Sequence, residues 1–123
     1  VLTAFDMNKA ETPWQAPVGE GSETLRKHAL HKGAKLPDRL GGPVSRGGAM
    51  VTRSGIVFIG GGDKYFYAFD RKTGKELWRA PVPYEETAVP MTYRTRSGKQ
   101  FVVMATGEGA DNALVAFALD AGK

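Results

Sequence analysis

The chain has 123 residues, 41% of them hydrophobic, with 16 glycines and 7 prolines. That length supports one domain with a modest core, and that composition suits short strands joined by turns better than long helices. Cysteine is absent, which excludes a disulfide scaffold and a thiolate metal site. No window approaches the roughly 18 apolar residues of a membrane-spanning helix, and a formal net charge of +4 gives weak attraction to anions rather than a dedicated nucleic-acid surface.

In chain order, "VLTAF" (1–5) and "TPWQAPV" (12–18) read as two strands around a turn at Met7 to Ala10. A long polar segment, Gly19 to Gly48, follows. Within it, Ser22 to Lys35 can hold a short helix, with Ser22 as N-cap and Leu25, Ala29 and Leu30 on one face. Its cations Arg26, Lys27, Lys32, Lys35 and Arg39 read as a solvated loop. Four strands come next: "AMVTR" (49–53), "IVFIG" (56–60), "YFYAF" (65–69) and "KELWRAPV" (75–82), separated by Ser, Gly, Asp and Lys turns. Three more, "VPMTYRT" (89–95), "KQFVVMAT" (99–106) and "ALVAFAL" (113–119), are joined by a hairpin turn at Arg96 to Gly98 and a looser loop at Gly107 to Asn112. Strands such as "IVFIG" and "FVVMAT" are nearly continuous in apolar residues, as strands buried on both faces are.

The chain repeats itself. "TAFDMNKAETPW" (Thr3 to Trp14) and "AFDRKTGKELW" (Ala68 to Trp78) share Ala-Phe-Asp, and in each the Asp stands eight residues before the Trp. The copies lie 64 residues apart, and Ala116-Phe117 in "VAFALD" makes a third, partial copy. Repeats of this length signal stacked units, and sheets of three or four strands that bury both faces stack radially into a β-propeller. Asp6 and Asp70 then fix the turns between the third and fourth strands, and Trp14 and Trp78 fill the space between neighbouring sheets. On this reading Trp78 is the more deeply seated of the two. The apolar strand edges are expected to drive self-association, or to be covered by the remainder of a propeller. A third possibility is that the 1–18 hairpin folds back beside the strand at Ala113 to Leu119.

The repeat "AFDRKTGKELW" resembles the quinoprotein repeat with its tryptophan-docking motif. More specifically, "LGGPVSRGGAMVTRSGIVFIGGGDKYFYAFD" followed by "PMTYRTRSGKQFVVMATG" resembles the C-terminal end of the membrane-bound glucose and quinate dehydrogenase branch of the PQQ-dependent enzymes. The resemblance implies an all-β fold, an eight-bladed propeller of antiparallel four-stranded blades, with pyrroloquinoline quinone and Ca²⁺ near its axis. It implies oxidation of a sugar, polyol or other alcohol in the periplasm, with electrons passed to ubiquinone and membrane association through a region absent from this chain. About two and a half blades are expected here: the outer two strands of one blade (1–18), a long connecting loop (19–48), a complete blade (49–82) and the first three strands of the last blade (88–119). The chain starts with Val1 inside a repeat unit and without a leader pattern, so it is expected to be a piece of something longer and inactive alone.

By the same resemblance, Asp63 in "GGGDK" stands near the cofactor end, where Gly61 and Gly62 would let a cofactor approach. As plain structure, Asp63 is an Asx-turn residue and the glycines turn the chain. Glu108 in "ATGEGADNA" occupies the place where sugar-oxidising relatives carry a histidine, so it is a candidate substrate contact or an exposed loop carboxylate. Gly41-Gly42-Pro43 matches a motif near the substrate entrance, although two glycines before a proline also make a sharp extended turn. His28 and His31 are spaced for one helix face but lack a third ligand, so no metal site is expected. The competing function is a non-catalytic propeller serving as a scaffold or binding module, which needs the Asp/Trp repeat alone.

Overall fold

The computed structural model describes residues 1–28, 30, 32–42 and 46–119. Ala29, His31 and Pro43, named above for the helix face, the histidine pair and the Gly-Gly-Pro turn, lie outside the described residues. Short apolar runs broken by Gly and Asp turns become three antiparallel sheets. The first pairs β1 (Leu2–Asp6) with β2 (Glu11–Ala16). The second orders β3 (Met50–Val51), β4 (Ile56–Gly60), β5 (Tyr65–Asp70) and β6 (Glu76–Pro81) as a meander. The third holds β7 (Met91–Arg94), β8 (Gln100–Glu108) and β9 (Asp111–Ala118).

The repeat is structural. Asp70 Oδ1 accepts hydrogen bonds from the amides of Lys72 (2.9 Å) and Thr73 (2.8 Å) and from the Thr73 hydroxyl (2.9 Å). Asp6 Oδ1 does the same for the amides of Asn8 (2.9 Å) and Lys9 (3.2 Å). Four residues after each Asp the chain enters the left-handed region: Gly74 at φ 70° in one copy, Ala10 at φ 54° in the other. Each hairpin slips register beside its Ala-Phe-Asp. The third copy's turn falls outside the described residues.

Strand β5 sits between two cores. Its side chains alternate across the pleat, so Tyr67 and Phe69 join Ala16, Val18 and Val57 against the β1–β2 hairpin. Phe66 joins Val82 and Met104, with Val102, Val115 and Phe117 of the third sheet around them. The sheets therefore stack in sequence order, the four-stranded sheet in the middle.

Four expectations change. The hairpin does not pair with β9; it forms its own sheet and covers the middle one, where it buries a face instead of completing an edge. Gly107 to Asn112 is not a loose loop: β8 and β9 pair as far as Glu108 and Asp111, and Gly109 at φ 61° supplies the tight turn. The helix is one turn, α1 (Glu23–Arg26), capped by the Ser22 hydroxyl, with Leu25 45% and Leu30 85% exposed, so no apolar face forms. Finally, the two tryptophans exchange rank. Trp14 Nε1 donates to the Arg71 carbonyl at 2.9 Å, and its ring lies where a side chain on Gly74 would be. Trp78 is 42% exposed and meets Phe66 and Phe117 edge-on. Trp14 has the next Asp-capped turn to close on; Trp78 has ring edges only.

Trp14→Ala is therefore expected to cost about 2–3 kcal/mol, scaled down from a fully buried tryptophan, and Trp78→Ala about 1 kcal/mol. Urea melts of both variants check the order, and a larger loss at Trp78 would contradict this docking.

Candidate functional site

The antiparallel order sends alternate connections to opposite ends of the sheets. At one end lie the β4–β5 turn, the β8–β9 turn and both long connections, 17–49 and 82–90. Four glycines bring backbones together there. The amide of Gly42 donates to the Val18 carbonyl at 2.6 Å, and that of Gly41 to the Gly19 carbonyl at 3.1 Å. A Cβ on Gly42 or Gly19 would collide with the Gly61 carbonyl, so only glycine permits this crossing.

Asp63 holds the crossing from beneath. Its carboxylate accepts from the Tyr65 amide (3.1 Å), the Glu20 amide (3.0 Å) and the Tyr67 hydroxyl (2.8 Å). Burial, then the bond to Asp63, pushes the fully buried Tyr67 phenol above its ordinary value. Gly62, at φ 66°, turns the chain, and a side chain on Gly61 would collide with Tyr67 and Asp63. The close approach that these glycines permit is that of the chain to itself.

The connecting segment is fastened by charge. Arg39 donates to both Glu76 oxygens, at 2.8 and 2.9 Å, and lies over the Tyr67 ring at 5.8 Å. Arg79 pairs with Glu20 and covers the Tyr65 ring at 4.8 Å. Arg26 donates to the carbonyls of Glu20 and Asp38, at 2.8 and 2.7 Å. Of the predicted solvated cluster, Arg26 and Arg39 are thus fasteners, Arg26 gathering carbonyls of its own connecting segment and Arg39 reaching Glu76 on β6. The hydrogen bond from Arg39 holds the Glu76 carboxyl below its ordinary range.

Beside this crossing lies a cleft of about 400 Å³ lined by Arg46, Lys64, Tyr84, Glu86, Glu108 and Asp111, among others. Glu108 is here, paired with Arg46 across the opening. Glu86 is 2% exposed, seated in the space left by Gly47 and Gly60, where a Cβ at either would meet it. Its segment extends the β7 edge of β8: Gly107 donates to the Glu85 carbonyl at 2.8 Å and Thr87 to the Ala105 carbonyl at 3.1 Å. The cleft gathers Glu108 but not Asp63, whose neighbour Lys64 lines it instead. His28 stands past the end of α1, its Nδ1 accepting from the Leu30 amide at 3.3 Å. Sequence reasoning missed Lys64, Arg46 and Glu86. The pair Glu85-Glu86 between two strands was a signal, but the burial of Glu86 follows from two glycines remote in the chain.

Residues 1–102 match the family model described as "PQQ: Glucose/ethanol/alcohol dehydrogenase, beta-propeller domain". The chain belongs to this family. It is 38% identical to a probable quinate dehydrogenase (quinone) of Xanthomonas campestris pv. juglandis, over 86% of this chain and 13% of that protein. The quinate/shikimate dehydrogenase (quinone) of Acinetobacter baylyi gives the same identity and coverage. The quinoprotein glucose dehydrogenase A of Acinetobacter calcoaceticus is 36% identical over 96% of this chain and 15% of that protein. Among solved structures, a europium-containing methanol dehydrogenase superposes on 51% of this chain with a TM-score of 0.49. The chain thus spans about one seventh of the length of the curated relatives it matches.

The lining of this cleft does not by itself fit the family's cofactor. The cleft sets Glu85, Glu86, Glu108 and Asp111 against Arg46 and Lys64, the wrong balance for a quinone that carries carboxylates of its own. No group of three or more potential metal ligands occurs among the described residues.

Because Glu76 titrates lower folded than unfolded, its stabilisation is complete above the unfolded value of about 4.3 and is lost as pH falls through the lower folded value. Glu76→Gln should be less stable than the parent at neutral pH, with the gap narrowing on acidification. Denaturant midpoints across the acid range test this, and a constant gap would contradict it. Gly42→Ala should cost about 1–3 kcal/mol, as overpacking does, and open the crossing to hydrogen exchange at Gly61 and Asp63.

Proposed function

We propose that this chain is part of a PQQ-dependent dehydrogenase that oxidises a sugar, polyol or other alcohol and passes electrons to a quinone in the periplasm. The observation that carries this reading is the family match over residues 1–102, supported by relatives named as quinate and glucose dehydrogenases. In this reading β1–β2 is the outer half of one blade, β3–β6 a complete blade, and β7–β9 three strands of the last. In this reading Gly61, Gly62 and Asp63 stand near the cofactor end, and the remainder of the ring supplies most of the groups that hold cofactor and calcium. The chain's own part is positional: Asp63 fixes the Gly61–Lys64 turn and thereby presents Lys64 to the cleft, while Arg46 and Glu108 set the opening.

The second reading, a non-catalytic propeller, draws support from the acidic cleft and from the engagement of Asp63 with its own chain. A dye-linked oxidation assay on the complete propeller, supplied with PQQ and Ca²⁺ and offered a broad alcohol panel, separates the two. Turnover is expected from the complete protein and none from the 123-residue chain, which lacks the remaining ring. No turnover and no cofactor uptake by the complete protein would sink the dehydrogenase reading.

A further inference from the structure

The opposite end of the sheets has a different character, and its chemistry is independent of the dehydrogenase reading. The β3–β4, β5–β6 and β7–β8 turns all open there. The Arg71 amide donates to the Gly55 carbonyl at 2.9 Å, joining the first two turns, and the bond from Trp14 to the Arg71 carbonyl brings the β1–β2 turn alongside. The third sheet joins through a shallow cleft of about 420 Å³ lined by Thr52, Arg53, Ser54, Arg94 and Gln100.

These turns carry Arg53, Arg71, Lys72, Arg94, Arg96 and Lys99, all exposed. None of the six forms an ion pair with a carboxylate among the described residues; those pairs engage Lys27, Arg39, Arg46 and Arg79 instead. The acidic groups at this end are Asp6, Glu11, Asp70 and Glu76, which opens β6 just past the β5–β6 turn; both aspartates spend an oxygen on turn amides, and Glu76 is paired with Arg39. A strongly positive end results, while the acidic cleft lies at the other.

Two apolar side chains stand out among these cations. Met7, in the β1–β2 turn, is 89% exposed, and Leu119, following β9, is 91% exposed. Cations bordered by protruding apolar tips suit a surface with phosphates outside and hydrocarbon beneath, whereas a soluble anion or an acidic protein needs only the cations. We infer that this end of the molecule docks on an anionic phospholipid bilayer, with Arg53 and Arg94 clasping a headgroup phosphate between two sheets and Met7 and Leu119 dipping into the interface.

Flotation of the purified protein with phosphatidylcholine vesicles containing phosphatidylglycerol, against phosphatidylcholine alone, tests the inference. Binding should require phosphatidylglycerol and weaken as salt shortens the screening length. Arg53→Gln and Arg94→Gln should each lower partitioning about fivefold, from the contribution of one basic residue near an anionic surface. Lys27→Gln, which removes a charge from α1, should leave it unchanged. Met7→Ser combined with Leu119→Ser should lower partitioning without altering its salt dependence. Equal binding to both vesicle types, no binding at all, or equal loss from Lys27→Gln would overturn the inference. Release by millimolar inorganic phosphate would also overturn it, in favour of a free-anion site.

Discussion

Burial of β5 on both faces is the constraint from which the rest follows. Phe66, Tyr67, Ala68 and Phe69 are each at most 4% exposed, and a strand can hide four successive side chains only if sheets cover it on both sides. The hairpin at one side and the third sheet at the other meet that demand, which sets the stacking order of the three. Complete burial of several aromatic residues supplies the dominant favourable free energy for such an assembly. A chain whose middle strand is committed in this way has its ends decided too, because antiparallel pairing sends every second connection to the same side.

The two ends have consequently diverged. At one, glycines remove side chains so that three backbone segments cross, and Asp63 and the Arg39–Glu76 pair lock the crossing. That end is rigid and hydrogen-bonded, and it frames an acidic cleft. At the other, short turns are capped by their own aspartates, so arginines and lysines are left facing solvent. A low-dielectric stack of sheets between the two keeps the opposite charges apart and lets each end act as a separate surface.

Particular residues show where sequence reasoning reached and where it stopped. The Asp-to-Trp spacing is local, so the turns at Asp6 and Asp70 and the four-stranded meander could be read directly. Gly61, Gly62 and Gly42 were visible as permissive positions, but whether they admit a cofactor or another stretch of backbone depends on what approaches them. Asp63 was legible as a turn residue, and its bond to the Tyr65 amide is that turn. Its bonds to Glu20 and Tyr67 were not legible, one of them spanning 43 residues of chain. Glu108 ends β8 beside the turn at Gly109, while its partner Arg46 came from the segment read as a long connecting loop.

The sequence by itself determined the all-β class, the repeat, most strand positions and the family, because each rests on local turn chemistry, on period-two alternation or on short ordered motifs. Only the tertiary structure decided which tryptophan is docked, that the hairpin covers a face rather than an edge, and that Arg39 and Glu86 are built into the fold while Arg53 and Arg94 stay exposed. The physical reason is common to all of these. A side chain's burial and charge partner are set by what the stack brings beside it, and that neighbour lies tens of residues away in the chain.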